Sequence, residues 1–164
     1  MSRAVDVADA EHVAWFDTPV GVLRASASDT ALRSLKFTKA TTAPFSTPTT
    51  LLAQVERELA EYFAGSRRIF EVPLELVGTP FQKSVWKVLL GIEYGDRISY
   101  LEQSRRVGDE KAIRAVAQAN GQNPIVILIP CHRVVSADGG LGGFGGGLLR
   151  KQYLLDLERG DRLL

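Results

Sequence analysis

Between Ala14 and Lys39 the apolar and β-branched positions are broken at Thr18-Pro19 and Ser28-Asp29, which predicts two or three short strands joined by turns. The period then changes. A stretch rich in Thr, Pro and Ser from Ala40 to Thr50 contains Thr47-Pro48, a helix cap followed by proline at the first helical position. Leu51, Leu52, Val55, Leu59, Tyr62 and Phe63 then recur at helical spacing as a core stripe, and Gly65-Ser66 closes the element. Phe70 to Leu76 reads as one more strand. The character changes after Gly78, so the chain divides into 1–78 and 79–164.

In the second half the polar positions mark helix starts. Thr79-Pro80-Phe81-Gln82 and Ser99-Tyr100-Leu101-Glu102 fit the capping box, in which the cap hydroxyl and the third side chain satisfy each other's orphan amides. The first helix is predicted to bury Phe81, Val85, Trp86, Leu89 and Leu90. The second runs from Tyr100 to about Val107, and Gly108-Asp109 turns the chain into a third that ends near Gly121, making a helix-turn-helix. On the third, Ile113, Val116 and Asn120 take one side and leave Ala112, Ala115 and Ala119 around Arg114. Alanine is simply the best helix former. In a helix-turn-helix, however, small residues let the axis approach DNA closely, and a lone Arg114 can enter the duplex or contact phosphates.

Ile125 to Val135 reads Ile-Val-Ile-Leu-Ile-Pro-Cys-His-Arg-Val-Val, an apolar, β-branched run expected to be a buried strand that Pro130 stops, presenting Cys131 at its end. A lone cysteine is most often an inert core residue; His132 beside it and the polar turn that follows shift the balance toward chemistry. Seven of the nine residues from Gly139 to Gly147 are glycine, with no Lys-Ser or Lys-Thr to make a phosphate loop. Gly147 opens a last helix, Leu148 to about Glu158. Glu158 in its last turn faces an unfavourable macrodipole and calls for a positive partner, His132 or Arg162. A carboxylate-oriented histidine activating a cysteine is the general layout of an activated nucleophile. Neighbouring residues on an extended segment point apart, so a water bridge from His132 to Cys131 is easier to build than direct contact.

Composition bounds the partners. The 164 residues are 45% hydrophobic and contain no apolar stretch near the roughly 20 residues that span a bilayer, which implies a chain of one or two small domains off the membrane. The acidic first residues lack the apolar core of an export signal, so a cytoplasmic protein, or a nuclear one in a eukaryote, is expected. One cysteine allows no internal disulfide or Cys-rich zinc site, His12 has no ligand spacing to anything, and neither metal nor cofactor is expected. A net charge of +1 excludes a grip on nucleic acid by charge alone and leaves room for a small footprint.

Pro130-Cys131-His132-Arg133-Val134, together with the Gly-Thr-Pro-Phe-Gln, Ile-Ser-Tyr, Arg-Ala-Val-Ala, Asn-Pro-Ile and Leu-Leu-Asp-Leu-Glu segments around it, resembles the O6-alkylguanine-DNA alkyltransferases over Gly78 to Gly160. The resemblance implies an α+β protein: a small N-terminal sheet-plus-helix domain, ribonuclease H-like, followed by a mostly helical domain with a winged-helix-like helix-turn-helix. It implies repair of double-stranded DNA carrying O6-alkylguanine by a monomer that is consumed in one turnover, Cys131 keeping the alkyl group as a thioether. Glu158 would orient His132, which acts on Cys131 through water. Asn123 would tie the helix-turn-helix to the active-site segment, Tyr100 would help turn out the nucleotide and donate to guanine N3, and Arg114 would fill the gap left by the flipped base. Flipping is required because the alkylated oxygen lies inside the duplex. Thr79, Gln82, Ser99, Ala112 and Ala115 would join Arg114 and Tyr100 on the DNA side. Val134, Phe144, Gly145, Val126 and Pro130 would form the pocket, with the carbonyls of Cys131 and Val134 and the amide of Gly145 reading the base edge. Phe144 stands where many members have tyrosine, Gly145 where some have serine and Val126 where some have proline. O4-alkylthymine repair and cooperation along DNA stay open. The rival classes are a cysteine hydrolase, which would need a histidine reaching the thiol from elsewhere in the fold, and a non-catalytic helix-turn-helix regulator.

Overall fold

The structure is a computed structural model that describes residues 11–160; the acidic opening segment and Arg162 lie outside them. The chain separates into two compact units between Leu76 and Val77.

The first unit is an antiparallel meander of β1 (His12–Thr18), β2 (Gly21–Ala27) and β3 (Leu32–Phe37), covered by α1 (Thr50–Phe63). Thr18 shapes the first turn, its hydroxyl donating to the Gly21 carbonyl at 2.6 Å and accepting the Val20 amide at 3.1 Å, while Gly21 takes φ 107°. Ala14, Phe16, Leu23, Ala25, Leu32 and Leu35 meet Leu51, Leu52, Val55, Leu59 and Tyr62 in the core, with Phe63 at its margin. The helix cap is Thr49, two residues after the expected Thr47: Thr49 is extended and its hydroxyl accepts the Leu52 amide at 3.3 Å. Phe70 to Leu76 does not form a strand. Leu74 bridges Leu32 alone, through Leu32 N to Pro73 O and Glu75 N to Leu32 O, both 2.9 Å, and Pro73 has no amide with which to extend the ladder.

The second unit holds α2 (Pro80–Leu90), β4 (Ile98–Ser99), α3 (Tyr100–Val107), α4 (Ile113–Gly121), β5 (Val134–Val135) and α5 (Leu148–Arg159), with β4 and β5 paired in parallel. Thr79 makes the complete capping box with Gln82. Ser99 makes half of one: its hydroxyl accepts the Glu102 amide, but the Glu102 carboxylate turns to Arg106 at 2.9 Å. On α2, Val85, Trp86 and Leu89 are buried, whereas Phe81 and Leu90 are 38% and 43% exposed. At 100° per residue those two lie about 90° either side of the buried line, at the edges of the stripe.

Two polar contacts fasten the helix-turn-helix. Trp86 Nε1 donates to the Ala119 carbonyl at 2.9 Å, and Gln103 and Asn120 exchange amide hydrogen bonds, each 2.7 Å, in a buried reciprocal pair. Gly108 ends α3 in the left-handed region at φ 113°. The helix α4 is rotated from the expected setting. It buries Val116, Ala119 and Asn120 and exposes Ile113, Arg114, Ala115, Ala117 and Gln118, with Asn120 held inward by its pair with Gln103.

Ile125 to Ile129 is a tight buried turn and not a strand. Ile127 has φ 73°, Ile129 N returns to the Ile125 carbonyl at 3.0 Å, and Cys131–Arg133 form a single 3-10 turn. Periodicity cannot separate a short buried strand from a buried turn of the same composition. Asn123 stabilises the turn from within, its Oδ1 accepting Ile125 N at 2.9 Å and its Nδ2 donating to the Ile129 carbonyl at 2.7 Å.

Candidate active site

The 3-10 turn sets three consecutive side chains to three tasks. Cys131 is 9% exposed, reaches a cavity of about 380 Å³ and accepts a hydrogen bond from Asn123 Nδ2 at 3.2 Å. His132 turns fully into the protein, where its Nε2 meets Glu158 Oε2 at 2.7 Å. Arg133 grips the same carboxylate with two nitrogens, Nε to Oε1 at 2.8 Å and Nη2 to Oε2 at 3.0 Å, and ties it to the Ile92 carbonyl through Nη1 at 2.6 Å. The Gly95 amide adds a fourth donor to Glu158 at 3.3 Å.

Burial works against ionisation of Glu158, yet the hydrogen bonds and charges of His132 and Arg133 outweigh it and hold the carboxyl well below the usual carboxylate range. Burial lowers the pKa of His132 despite the carboxylate, so the imidazole is neutral at pH 7. With Nε2 donating to Glu158, Nδ1 carries the lone pair, and Nδ1 is buried with no protein partner. No hydrogen bond joins His132 to Cys131 directly, which removes the arrangement a cysteine hydrolase would use. Burial pushes the Cys131 thiol up, while the Asn123 hydrogen bond and the charge of Lys151 pull the other way.

The cavity walls come from three elements: Tyr100 at the start of α3, Ile113, Arg114 and Ala117 on α4, and Gly143, Phe144 and Gly145 of the glycine-rich loop. Tyr100 is fastened to that loop, its hydroxyl donating to the Gly143 carbonyl at 3.3 Å and accepting the Gly143 amide at 3.2 Å. Burial raises its pKa, so the hydroxyl keeps its proton at neutral pH. Gly142 has φ 73°, and a Cβ there would stand 2.7 Å from the Tyr100 ring, so the loop needs glycine at that point for two reasons.

Of the residues expected at the site, Cys131, Tyr100, Arg114, Phe144 and Gly145 meet at one cavity, Asn123 donates to the sulfur, and His132, next to Cys131 in the chain, is paired with Glu158 in the interior. Val134, Val126 and Pro130 do not line the cavity: Val134 and Pro130 are buried, and the Val134 carbonyl is taken up by Lys151 Nζ at 2.6 Å. Ala112 caps α4 and Ala115 is exposed one residue beyond Arg114; Thr79, Gln82 and Ser99 are helix-capping residues, Gln82 also donating to Gln122 at 2.8 Å. Arg133 and Lys151 escaped the sequence reading. Lys151 had a signal, since it lies seven residues before Glu158 on the stripe that also buries Leu154 and Leu155, and a lysine in a core position needs a reason. Among the described residues no cluster of three His, Cys, Asp or Glu could hold a metal, and no helix is long and apolar enough to cross a membrane.

A family profile described as 6-O-methylguanine DNA methyltransferase, DNA binding domain, matches residues 80–160, and one described as the ribonuclease-like domain of the same proteins matches residues 12–76. The methylated-DNA-protein-cysteine methyltransferase of Mycolicibacterium paratuberculosis is 45% identical over 148 residues, covering 87% of this chain and 89% of that one. Its counterpart in Mycobacterium tuberculosis is 43% identical over 153 residues, covering 90% and 92%. The crystal structure of the Mycobacterium tuberculosis O6-methylguanine methyltransferase superposes with a TM-score of 0.83 at 40% identity over 93% of this chain and 94% of that one. The structure of OGT from the same organism in complex with DNA gives 0.83 at 42% identity over 92% and 94%.

Proposed function

Because the chain belongs to the 6-O-methylguanine DNA methyltransferase family, we propose that its chemistry is a single irreversible transfer of the O6-alkyl group of guanine in double-stranded DNA to Cys131. The activity is that of a DNA-binding methyltransferase that moves the alkyl group of methylated DNA to a protein cysteine. The observation that carries the assignment to Cys131 is the residue that follows it, a neutral imidazole locked by Glu158 and Arg133 with an unpartnered Nδ1 in the interior, while the sulfur itself reaches the cavity.

In the proposed step a water bridging Sγ and Nδ1 passes the thiol proton to His132 while the sulfur attacks the alkyl carbon. The S–C bond forms and the C–O6 bond breaks. The electron pair stays with the base, which takes a proton from the Tyr100 hydroxyl at N3 and leaves as guanine; Tyr100 is reprotonated from His132 through solvent. The thioether has no route back to thiol, so one molecule repairs one lesion. The alkylated base enters the cavity only when flipped from the duplex, and Arg114, exposed on α4 at the cavity mouth, occupies the space it leaves.

Intact mass after incubation with duplex DNA carrying one O6-methylguanine tests this. Wild type gains about one methylene (~14 Da), mapped to Cys131 by peptide analysis, and Cys131→Ala gains nothing while still binding the duplex. Bound DNA without an adduct in wild type would instead leave a protein that senses lesions and does not repair them.

A further inference from the structure

Among the residues that line the cavity, Asn120 is the polar side chain to which the transfer step gives no task. It lies near the end of α4 and is 8% exposed, whereas its partner Gln103 on α3 is fully buried. The two amides exchange hydrogen bonds of 2.7 Å in both directions. A primary amide has two N–H groups and two lone pairs, so the reciprocal pair spends half of each amide and leaves Asn120 one donor and one acceptor. Neither amide can exchange its oxygen and nitrogen alone without setting like against like. The two can exchange together with both bonds remade, so whichever amide atom of Asn120 faces the cavity, the exchange can make it the oxygen. An unspent acceptor on a nearly dry wall favours a ligand that brings a donor. The place of Asn120 along the wall matches one donor of the base. Gln103 follows Tyr100 by three residues, so both side chains leave the same face of α3, about 4.5 Å apart along its axis. On the other side the Asn120 carbonyl accepts the Asn123 amide at 3.2 Å, and Asn123 donates to the Cys131 sulfur. Asn120 thus stands between the residue assigned to guanine N3 and the residue that touches the sulfur, as the 2-amino group of guanine stands between N3 and the O6 substituent. The Val134 carbonyl, an acceptor expected at the base edge, does not line the cavity and is bound by Lys151.

We propose that Asn120 is a specificity-determining residue of the alkyl transfer, its Oδ1 accepting a hydrogen bond from the 2-amino group of the flipped guanine, and that Gln103 is the positioning residue that holds the Asn120 amide for it. The inference rests on Cys131 being the alkyl acceptor and on Tyr100 meeting N3. A 6-alkoxypurine with hydrogen at C2 leaves the acceptor unpaired, and a site built to bond a donor rejects the analogue that lacks it. Gln103 matters because an Asn120 without its partner can turn its amide away from the base, and holding that amide in one plane removes the cost of ordering it when the base arrives.

Free O6-benzylguanine and 6-benzyloxypurine differ only by the 2-amino group. The full chain is compared on the two by the second-order rate of Cys131 benzylation, each rate divided by the iodoacetamide rate of the same variant so that differences in thiol reactivity cancel. Wild type should favour O6-benzylguanine by about fivefold, the size of one net hydrogen bond. Asn120→Leu, and the double variant Gln103→Leu with Asn120→Leu, should lose most of that preference; the double variant removes both partners and leaves no orphaned amide, which protects the fold. Gln103→Leu alone keeps the acceptor but not its setting, and its preference should fall between the two. A wild-type ratio near one overturns the proposal with no variant needed. A folded double variant that keeps the wild-type ratio also overturns it, because both rates then fall alike, the pattern of a pair that only holds the helices together. Wild type that reacts with iodoacetamide but takes no alkyl group from O6-methylguanine duplex or from O6-benzylguanine removes instead the reading of Cys131 on which this one rests.

Discussion

A single carboxylate organises the chemistry behind the sulfur. Glu158 receives His132, both reaching nitrogens of Arg133 and the Gly95 amide, and its side chain is 1% exposed. Glu158→Gln would strip the charge that Arg133 needs in the interior, and breaking a buried pair in this way costs about 3–5 kcal/mol. The same substitution frees the imidazole to take the other tautomer, so alkyl transfer should slow by at least tenfold even where the variant is folded. The pH dependence has a definite sign. A carboxyl held below its unfolded value contributes stability that is complete above about pH 4.3 and is lost as pH falls toward the folded value. Urea unfolding at pH 7 and near pH 3.5 should therefore show wild type losing stability on acidification and Glu158→Gln losing markedly less. An equal loss in both would mean that other carboxyls carry the acid sensitivity.

At the level of elements, the helix-turn-helix and the glycine-rich loop divide the labour. The helix α4 presents Arg114 at the mouth of the cavity, while the thiol lies on its floor. Arg114→Ala should thus slow repair in duplex far more than reaction with free O6-benzylguanine, which needs no flipping; equal losses on the two would remove Arg114 from the flipping step. Gly142 answers for the loop. Gly142→Ala places a methyl group at φ 73° against the Tyr100 ring, which should displace Tyr100 from Gly143 and reduce both reactions alike, a pattern opposite to that of Arg114→Ala.

The elements also show what the sequence could and could not reveal. Helices begun by capping side chains were legible to within a residue or two, because a cap is a local bargain between a hydroxyl and an amide a few residues on. Cys131, His132 and Glu158 were legible as a set from the motif and from an acid at the wrong end of a helix dipole. The turn at Ile127, the rotation of α4 and the burial of Lys151 were not. The setting of α4 and the burial of Lys151 involve partners farther along the chain, Trp86 for the one and Val134 and Gly143 for the other, whereas the turn at Ile127 was hidden because the apolar pattern around Ile125 to Ile129 is the same whether the segment extends or turns.

For the molecule as a whole, recognition of DNA has to work with a net charge of +1. Of the cations on α3, Arg105 and Arg106 are committed to Glu110 at 3.1 Å and Glu102 at 2.9 Å, which leaves the turn and α4 with Lys111 and Arg114 to meet phosphate. Each phosphate neutralised contributes about −0.9 to the slope of log K against log salt, so two such cations predict a slope of about −2. In the proposed reading shape supplies the remainder: Ala115 and Ala117 are small and exposed on α4, and the cavity of about 380 Å³ is where a flipped base would enter. Binding to an undamaged duplex and to one carrying O6-methylguanine should share that shallow slope, measured by anisotropy between about 50 and 300 mM salt with Cys131→Ala so that no reaction intervenes. The two lines should be offset but parallel, because an inserted base adds contacts without adding phosphates. A slope approaching about −8 would reveal a basic surface that the charges on α3 and α4 do not provide, and a steeper line for the damaged duplex would mean that flipping recruits new phosphate contacts beyond the cavity.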